Sequence, residues 1–362
     1  MTQLGGTATC FFLFDVADAI DLERARALIS DAVRARLTPK PATPPYVQYA
    51  EPPIAIHGSA VEAANVAGFD VRLKVFDYGV ISVAFSRPLP ATWEALLDAG
   101  LRWSEDPQLP TEADRLCRHL MTRLSSAASA PREAFLTEDY WVFAATAVAG
   151  SPAAEAVVAQ QGGTLAQLLR GERAPLSPQE REEVLRHRLS YLEDDLVVPT
   201  WNGAFVYDTE AGAQAALDII EHANSQLLQF RYYDQLLDTE LGRIYARLQH
   251  PPLTHTWLGR RHTRAARQLH AIFIDVNELT DKAENSLKFA GDVYAARLFA
   301  LVAARLGLDQ WKGHVRRKLE TLDDIYRFTV EQTSMARGEV LELAIVLILV
   351  FELILFFLGI MD

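Results

Sequence analysis

The sequence predicts an α+β protein with a mixed-sheet α/β part, then long helices with a coiled-coil-like stalk, then one C-terminal transmembrane helix. Three observations predict this class. Short apolar runs separated by turn residues fill residues 1–208, helical periodicity fills 209–338, and an almost uninterrupted apolar run fills 339–362. The α/β part divides either into halves 1–130 and 131–208 or, if their strands pair, into one sheet.

The first half contains an aromatic, apolar strand over Thr9–Val16, followed by a helix. The proline-rich stretch Thr38–Tyr46 is predicted as a loop, because it can neither pair nor coil. The remaining elements are two short strands, a hairpin and two helices: Tyr46–Ala50, Ile54–His57, Phe69–Pro88 with its turn at Asp77-Tyr78-Gly79, a helix from about Ala91, and a helix over Glu112–Leu124. This order predicts helices on one face of a mixed sheet.

The second half contains a strand, a polar helix and a hairpin. Asp139–Val148 is strand-like, and Pro175–Leu189 predicts a polar helix. Asp194–Asp208 predicts two strands around Asn202-Gly203, because Asn-Gly is the strongest short hairpin signal.

From Glu210 onward the pattern is helical. One helix is predicted for Glu210–Leu248, another from there to about Glu284, and a third for Asn285–Leu306, ended by Gly307.

The first of these helices contains the stretch NSQLLQFRYYDQLLD, from Asn224 to Asp238. We interpret it as a core-packing helix with a satisfied polar network, in which Arg231 pairs with Asp234 or Asp238. A ligand pocket is the alternative interpretation.

The last helix begins near Asp309 and carries a seam with alternating spacings of four and three residues. This period of 3.5 is typical of a coiled coil. The candidate interface residues of the stalk are Val315, Leu319, Leu322 and Tyr326. The seam therefore predicts a homo-oligomer, with a helix of the same chain as the rival partner.

The segment Val340–Met361 has 22 residues, of which only Glu342 and Glu352 are charged. A bilayer requires about 20 apolar residues in a helix. We therefore predict a transmembrane anchor, with a buried oligomer core as the alternative. Glu352 lies near the middle of this span, and we predict that it is protonated and hydrogen-bonds between helices.

Orientation follows from the basic residues beside the span. Arg327 and Arg337 precede it, which predicts that the bulk of the chain is cytoplasmic. The expected location is a membrane, crossed once, and in a bacterium the inner membrane.

Four stretches resemble the required-for-meiotic-nuclear-division family: FDYGVISVAF, EDDLVVPTWNGAFVYD, EHANSQLLQFRYYDQLLD and YRFTVEQTSMARGEVLELAIVLILVFELIL. The resemblance runs roughly from Phe69 to the end. It implies a C-terminal membrane anchor with the α/β part outside the bilayer, and no established enzyme activity or catalytic residues. Eukaryotic members are organellar, and the mitochondrial ones are linked to organelle translation.

No phosphate-binding, nucleophile-elbow or metalloprotease motif occurs, and no cofactor is predicted. The two cysteines, Cys10 and Cys117, form no CxxC pair, which argues against a thiolate zinc site. These observations argue against an enzyme without excluding one.

Arg260, Arg264 and Arg267 share one helical face and are candidate contacts for phosphates or lipid headgroups. A net charge of −12 argues against nucleic acid as a partner. Membrane lipid and further copies of the chain are the predicted partners.

Two functions fit this layout. The first is a membrane-anchored, homo-oligomeric scaffold or assembly factor. The alternative is an oligomeric ion channel or cation-binding membrane protein with a cytoplasmic α/β head.

Overall fold

The computed structural model describes residues 4–33, 52–57, 66, 68–249, 274, 293–325, 327 and 345–347. Contacts divide the chain into two compact units. The first comprises Met1–Tyr232 and Asp281–Lys312, and the second comprises Tyr233–Thr280 and Gly313–Asp362.

Seven strands of the first unit form one mixed sheet in the order β3-β4-β5-β1-β7-β9-β8. Their bounds are β1 Leu4–Asp15, β3 Ile54–His57, β4 Asp70–Val75, β5 Val80–Pro88, β7 Leu136–Val148, β8 Leu196–Pro199 and β9 Gly203–Tyr207. Neighbouring strands are antiparallel except β7 and β9, which are parallel. The strands of residues 1–130 and 131–208 therefore belong to one sheet. A separate ribbon pairs β2 (Ala19–Ile20) with β6 (Ala128–Ser129).

The helices of the described residues follow the predicted order, except that the fourth was not predicted and several bounds differ. They are α1 Leu22–Val33, α2 Trp93–Ser104, α3 Gln108–Leu124, α4 Ala154–Arg170, α5 Pro178–Arg186, α6 Glu210–Gln249 and α7 Val293–Leu306, with a further helix over 308–325. The mixed α/β part followed by long helices confirms the predicted α+β class. The strand expected at Tyr46–Ala50 and the helix expected up to Glu284 lie outside the described residues, apart from the last residues of α6 and the single helical position 274.

Two of these helices begin with an N-cap residue whose side chain accepts a backbone hydrogen bond. Thr92 accepts a hydrogen bond from the backbone N–H of Ala95, and Ser177 accepts one from Glu180. These caps satisfy N–H groups that have no partner inside the helix. Pro178 follows Ser177 at the first turn of α5, where a missing N–H has no cost.

The main apolar core lies on one face of the sheet, beneath α2, α3 and α4. Alternate residues of β1 point into it, including Cys10, Phe12 and Phe14. The opposite face is also buried, since Phe11 and Leu13 have no exposed surface. Helix α6 binds this second face through side chains described below, and α7 packs against β8. The helices of the first half therefore lie on one face of the sheet, as predicted, and the second face is covered by helices from later in the chain.

The seam of the predicted stalk is buried within a single chain. Val315, Leu319 and Leu322 are each at most 7% exposed within a single chain. Tyr326, the fourth member, lies outside the described residues. Because the chain itself covers the three described residues, the seam needs no second copy to bury it, and the homo-oligomer stays a prediction.

We expect Leu319→Asp to destabilise the second unit by several kcal/mol, because it buries an unpaired charge. Hydrogen exchange along 308–325 should accelerate, while Thr321→Asp, at an exposed position, should leave it unchanged. Loss of oligomer mass with normal exchange protection would instead identify the seam as an interface between copies.

Among the residues that the structure describes, no helix is long and apolar enough to cross a membrane. The predicted span Val340–Met361, with Glu342 and Glu352, lies outside the described residues except for Ile345–Leu347.

Candidate functional site

A row of polar side chains crosses the second face of the sheet. Lys74 on β4 pairs with Ser82 on β5, and Ser82 in turn lies level with Leu13 and Glu138 on the next two strands. Lys74 is 2% exposed and Ser82 is fully buried. Helix α6 covers this row.

Lys74 is held by two carboxylates of α6. Its Nζ donates to Asp218 Oδ1 at 2.6 Å and to Glu221 Oε2 at 2.5 Å. The Ser82 hydroxyl donates to the other oxygen of Glu221 at 2.6 Å. Arg72 on β4 adds a longer contact of 3.5 Å to Glu221. Two cations therefore face two anions, and the buried group is close to neutral overall.

The protonation state of Glu221 follows from opposing effects. Burial alone raises the pKa of this carboxyl, but the positive charges on Lys74 and Arg72 outweigh burial and hold the pKa below its ordinary value. Glu221 is therefore ionised at neutral pH, and the Lys74 contact is a buried ion pair rather than a neutral hydrogen bond.

A second, uncharged branch begins at Tyr78, in the turn between β4 and β5. Its hydroxyl lies 2.7 Å from Ser225 Oγ and 3.4 Å from His222 Nδ1. Burial, followed by the charge of Lys74, lowers the pKa of His222 to about 4, so this imidazole is neutral at pH 7. Burial also raises the pKa of Tyr78, which keeps its proton.

The donors in this branch can be assigned from their geometry. Gln226 Nε2 lies 2.9 Å from His222 Nε2, so the amide donates and that ring nitrogen accepts. His222 then carries its proton on Nδ1 and donates to Tyr78, which donates to Ser225. Ser225 donates in turn to the carbonyl oxygen of His222 at 2.7 Å.

Gly79 shapes the turn that presents Tyr78. Its φ of +79° is a conformation that residues with a side chain rarely adopt, and a Cβ there would lie 1.9 Å from the carbonyl oxygen of Ala17. The Tyr78 carbonyl also accepts a hydrogen bond from Gln229. The turn therefore lies close to the segment that follows β1 and is hydrogen-bonded to α6.

A third group of charges lies at the end of β1. Asp15 is fully buried and pairs with Arg132 at 3.0 Å, and Arg132 also contacts Asp18 at 3.2 Å. The Arg132 guanidinium lies 3.7 Å from the ring centroid of Tyr232 on α6. Burial raises the pKa of Asp15 to about 7, against the lowering effect of Arg132 and with a further raising effect from Asp18.

The contacts of α6 show that it crosses the strands instead of running along them. Glu221 binds the β4–β5 end of the row and Arg231 pairs with Glu138 on β7. Three strand spacings separate Lys74 from Glu138, about 14 Å. Ten helical residues separate Glu221 from Arg231, about 15 Å. One helix thus connects four strands of the sheet.

These ion pairs and hydrogen bonds hold α6 on the sheet, and the charged side chains of Asp218 and Glu221 are both paired with that of Lys74. Within the described part of the chain, no group of three or more His, Cys, Asp or Glu side chains is placed to hold a metal ion. A cavity of about 450 Å³ lies elsewhere and is lined by Ala19, Ile20, Asp21, Glu23, Asp77, Ala127 and Ser129. The network therefore has the features of a structural clamp.

The predicted polar network of α6 is confirmed, but its partners differ from those expected. Arg231 pairs with Glu138 instead of Asp234 or Asp238. Those two aspartates instead hold Lys318, which belongs to the same second unit, each with Oδ1 at 2.7 Å from Nζ. Local helical spacing suggested the first pairing, whereas tertiary packing brings in the others.

Other predicted site residues lie outside the described residues. They are Arg260, Arg264, Arg267, Glu342 and Glu352. The sequence interpretation did not identify Lys74, Ser82 or Glu221. One signal was present: Asp218, Glu221, His222, Ser225 and Gln229 recur at helical spacing and form a polar stripe in an otherwise apolar stretch.

Comparison with known proteins identifies the sheet domain. The family described as "Uncharacterized protein MJ0711, N-terminal domain" matches residues 5–214. This range takes in the seven-stranded sheet and ends in the first turns of α6. Asp218 and Glu221 lie just beyond it.

An uncharacterized protein of Methanocaldococcus jannaschii, MJ0711, is 26% identical over 201 residues, which cover 56% of this chain and 61% of that protein. The chain thus spans less than two thirds of that relative's length. No solved structure matches it. Neither comparison bears on the required-for-meiotic-nuclear-division family, so that resemblance stays a prediction. Because its model matches more than half of the residues, the chain belongs to the family of the MJ0711 N-terminal domain.

Proposed function

We propose that this protein is a membrane-anchored, non-enzymatic scaffold or assembly factor, whose α/β part faces the cytoplasm. The anchor is the apolar segment 340–361. The rigid part is the sheet with α6 fixed across it.

One observation carries this proposal. Ile345, Val346 and Leu347 are helical and are 51%, 51% and 60% exposed. Successive helical residues point about 100° apart, so three of them sample more than half of the helix circumference. A core helix would cover these side chains with other parts of the chain. Their exposure supports a surrounding of lipid instead.

The clamp under α6 supports a scaffold more than an enzyme. Lys74, Asp218 and Glu221 neutralise one another in a buried site, and His222 and Tyr78 are bonded to other side chains of α6. A catalytic group must reach a substrate. The charged side chains of Lys74, Asp218 and Glu221 are at most 3% exposed, so a substrate cannot reach them. Their arrangement fits the task of holding one geometry.

Burial of Val315, Leu319 and Leu322 inside one chain removes the main argument for an oligomeric stalk. The channel alternative required several copies around a pore and relied on that stalk. The predicted scaffold was also homo-oligomeric, but a scaffold, unlike a pore, can act as a single chain and is therefore the better supported of the two functions.

We expect the full-length chain to stay in the membrane pellet after carbonate extraction. Val350→Lys together with Phe351→Lys should release it, because each Lys at the centre of a span costs about 2.5–3.5 kcal/mol. Val350→Ala with Phe351→Ala is the matched control and should remain in the pellet.

Extraction of the unaltered chain by carbonate would reject the anchor. Equal retention of the Lys and Ala variants would also reject it, because a lipid-embedded segment discriminates strongly between them.

A further inference from the structure

Trp201 is the exposed tryptophan of the described residues. It lies in the turn between β8 and β9 and is 65% exposed. Trp93 and Trp141, by contrast, are 3% and 7% exposed. A large apolar ring that projects into solvent is a common feature of contact surfaces.

The turn that carries Trp201 is held from beneath by a buried tyrosine. Tyr140, with no exposed surface, shares its hydroxyl proton between the carbonyl oxygens of Gly203 at 2.8 Å and Thr200 at 2.9 Å. The backbone N–H of Thr200 donates to Gly203 at 2.7 Å, and its hydroxyl donates to the same oxygen at 2.8 Å. The backbone that carries the indole is therefore fixed before any contact forms, which lowers the entropy cost of binding.

The charge around the turn selects the kind of partner. No charged residue occurs from Leu196 to Tyr207. Among the described residues, a second exposed apolar loop, Tyr191-Leu192, is 56% and 62% exposed but is followed by two exposed acids, Glu193 and Asp194. The cytoplasmic surface of a membrane is negatively charged and repels such acids. The turn itself carries no acid, although the exposed Asp139 lies on the neighbouring strand β7, two residues before the Trp141 that pairs with Gly203. Tryptophan favours the headgroup layer because its ring is apolar while its N–H is polar.

We propose that Trp201 inserts its indole into the headgroup layer of the membrane that holds the chain. This inference rests on the proposed membrane anchor. It adds a second point of contact, through which the rigid sheet is oriented against the lipid surface.

The test uses the full-length chain in liposomes whose lipids carry bromine near the top of the acyl chains, where bromine quenches nearby indoles. Tryptophan fluorescence of the unaltered protein should be quenched relative to unbrominated liposomes. Trp201→Phe should remove most of this quenching, and the difference between the two proteins isolates Trp201 from the other tryptophans. Trp201 should also be shielded from acrylamide on reconstitution.

The matched control moves the indole to the acidic loop, with Tyr191→Trp in the Trp201→Phe background. This variant should show acrylamide quenching and little bromine quenching. Flotation of the liposomes first establishes that each protein is anchored. Failure to float rejects the anchor, whereas flotation without a Trp201-dependent quenching overturns the present inference alone. Equal bromine quenching of a tryptophan at position 191 and at position 201 would also overturn it, because the acids beside position 191 would then not keep that loop away from the lipid.

Discussion

Lys74→Met should lower the free energy of unfolding of the first unit by about 3–5 kcal/mol, because it leaves the two buried carboxylates Asp218 and Glu221 with only the more distant Arg72 to balance them. Both carboxylates are at most 2% exposed, so solvent cannot take over the role of the lysine. Methionine fills a similar volume, so the loss is electrostatic and not a cavity effect.

Urea unfolding, followed by the fluorescence of the buried Trp93 and Trp141, measures this loss. The matched control is Arg102→Met. Arg102 pairs with Asp98 at 2.7 Å, a distance close to that of Lys74 and Asp218, but the two side chains are 62% and 54% exposed. An exposed pair contributes at most about 1 kcal/mol. Equal effects of the two substitutions would show that the clamp is not electrostatic.

A double variant separates the ion pair from its neighbours. In Lys74→Met with Glu221→Gln, one positive and one negative charge are removed, and Arg72 and Asp218 remain. We expect this variant to be more stable than the sum of its single changes predicts, by about 0.5–3 kcal/mol, because contacting residues couple. Strict additivity would contradict the direct contact of Lys74 with Glu221.

The hairpins and the long helix could be predicted from sequence because each has a local cause. The turn at Asp77-Tyr78-Gly79 joins β4 to β5, and the Asn202-Gly203 turn joins β8 to β9, both as expected. Helix α6 begins at Glu210 as expected and extends one residue beyond the predicted end. In each case, neighbouring residues determine the backbone conformation.

Helix α4 was missed for a physical reason. It contains Gly162 and Gly163, which favour an irregular interpretation because glycine weakens helices. A Cβ at Gly162 would lie 2.8 Å from the Leu185 side chain on α5. The glycine thus allows close packing between two helices, and no local pattern reveals a requirement that depends on a distant residue.

The candidate site was missed because its members come from separate parts of the chain. Lys74 and Glu221 are 147 residues apart, and neither belongs to a motif. The sequence shows a polar stripe on α6 and a lysine within a strand, but the pairing depends on how α6 crosses the sheet. That crossing is decided by tertiary packing on a face that the sequence interpretation left uncovered.

Asp15→Asn should reduce the pH dependence of stability, because Asp15 binds a proton more readily in the folded protein than in the unfolded chain. Burial raises its pKa from the ordinary 3.8 to about 7. Between these two values the folded state holds a proton that the unfolded state has released. The stabilising contribution of the protonated carboxyl is therefore complete below about pH 4 and is lost as the pH rises to 7.

A shift of this size corresponds to about 4 kcal/mol in total, of which about 3 kcal/mol falls between pH 5 and pH 8. Urea unfolding at those two pH values should show this difference in the unaltered protein and not in Asp15→Asn. Glu221 has a lowered pKa and acts in the opposite direction, since its contribution is lost as the pH falls. Glu221 is present in both proteins, so its contribution to the pH dependence is the same in both and does not affect their difference.

The control for this prediction is an exposed carboxylate. Asp98→Asn, at a side chain that is 54% exposed, should leave the difference between pH 5 and pH 8 as it is in the unaltered protein. Parallel pH profiles for Asp15→Asn and the unaltered protein would mean that Arg132 keeps Asp15 ionised throughout, and that the ion pair outweighs burial. A smaller slope in the variant would establish the reverse order, in which burial of Asp15 dominates and Arg132, shared with Asp18 and stacked on Tyr232, only partly compensates for it.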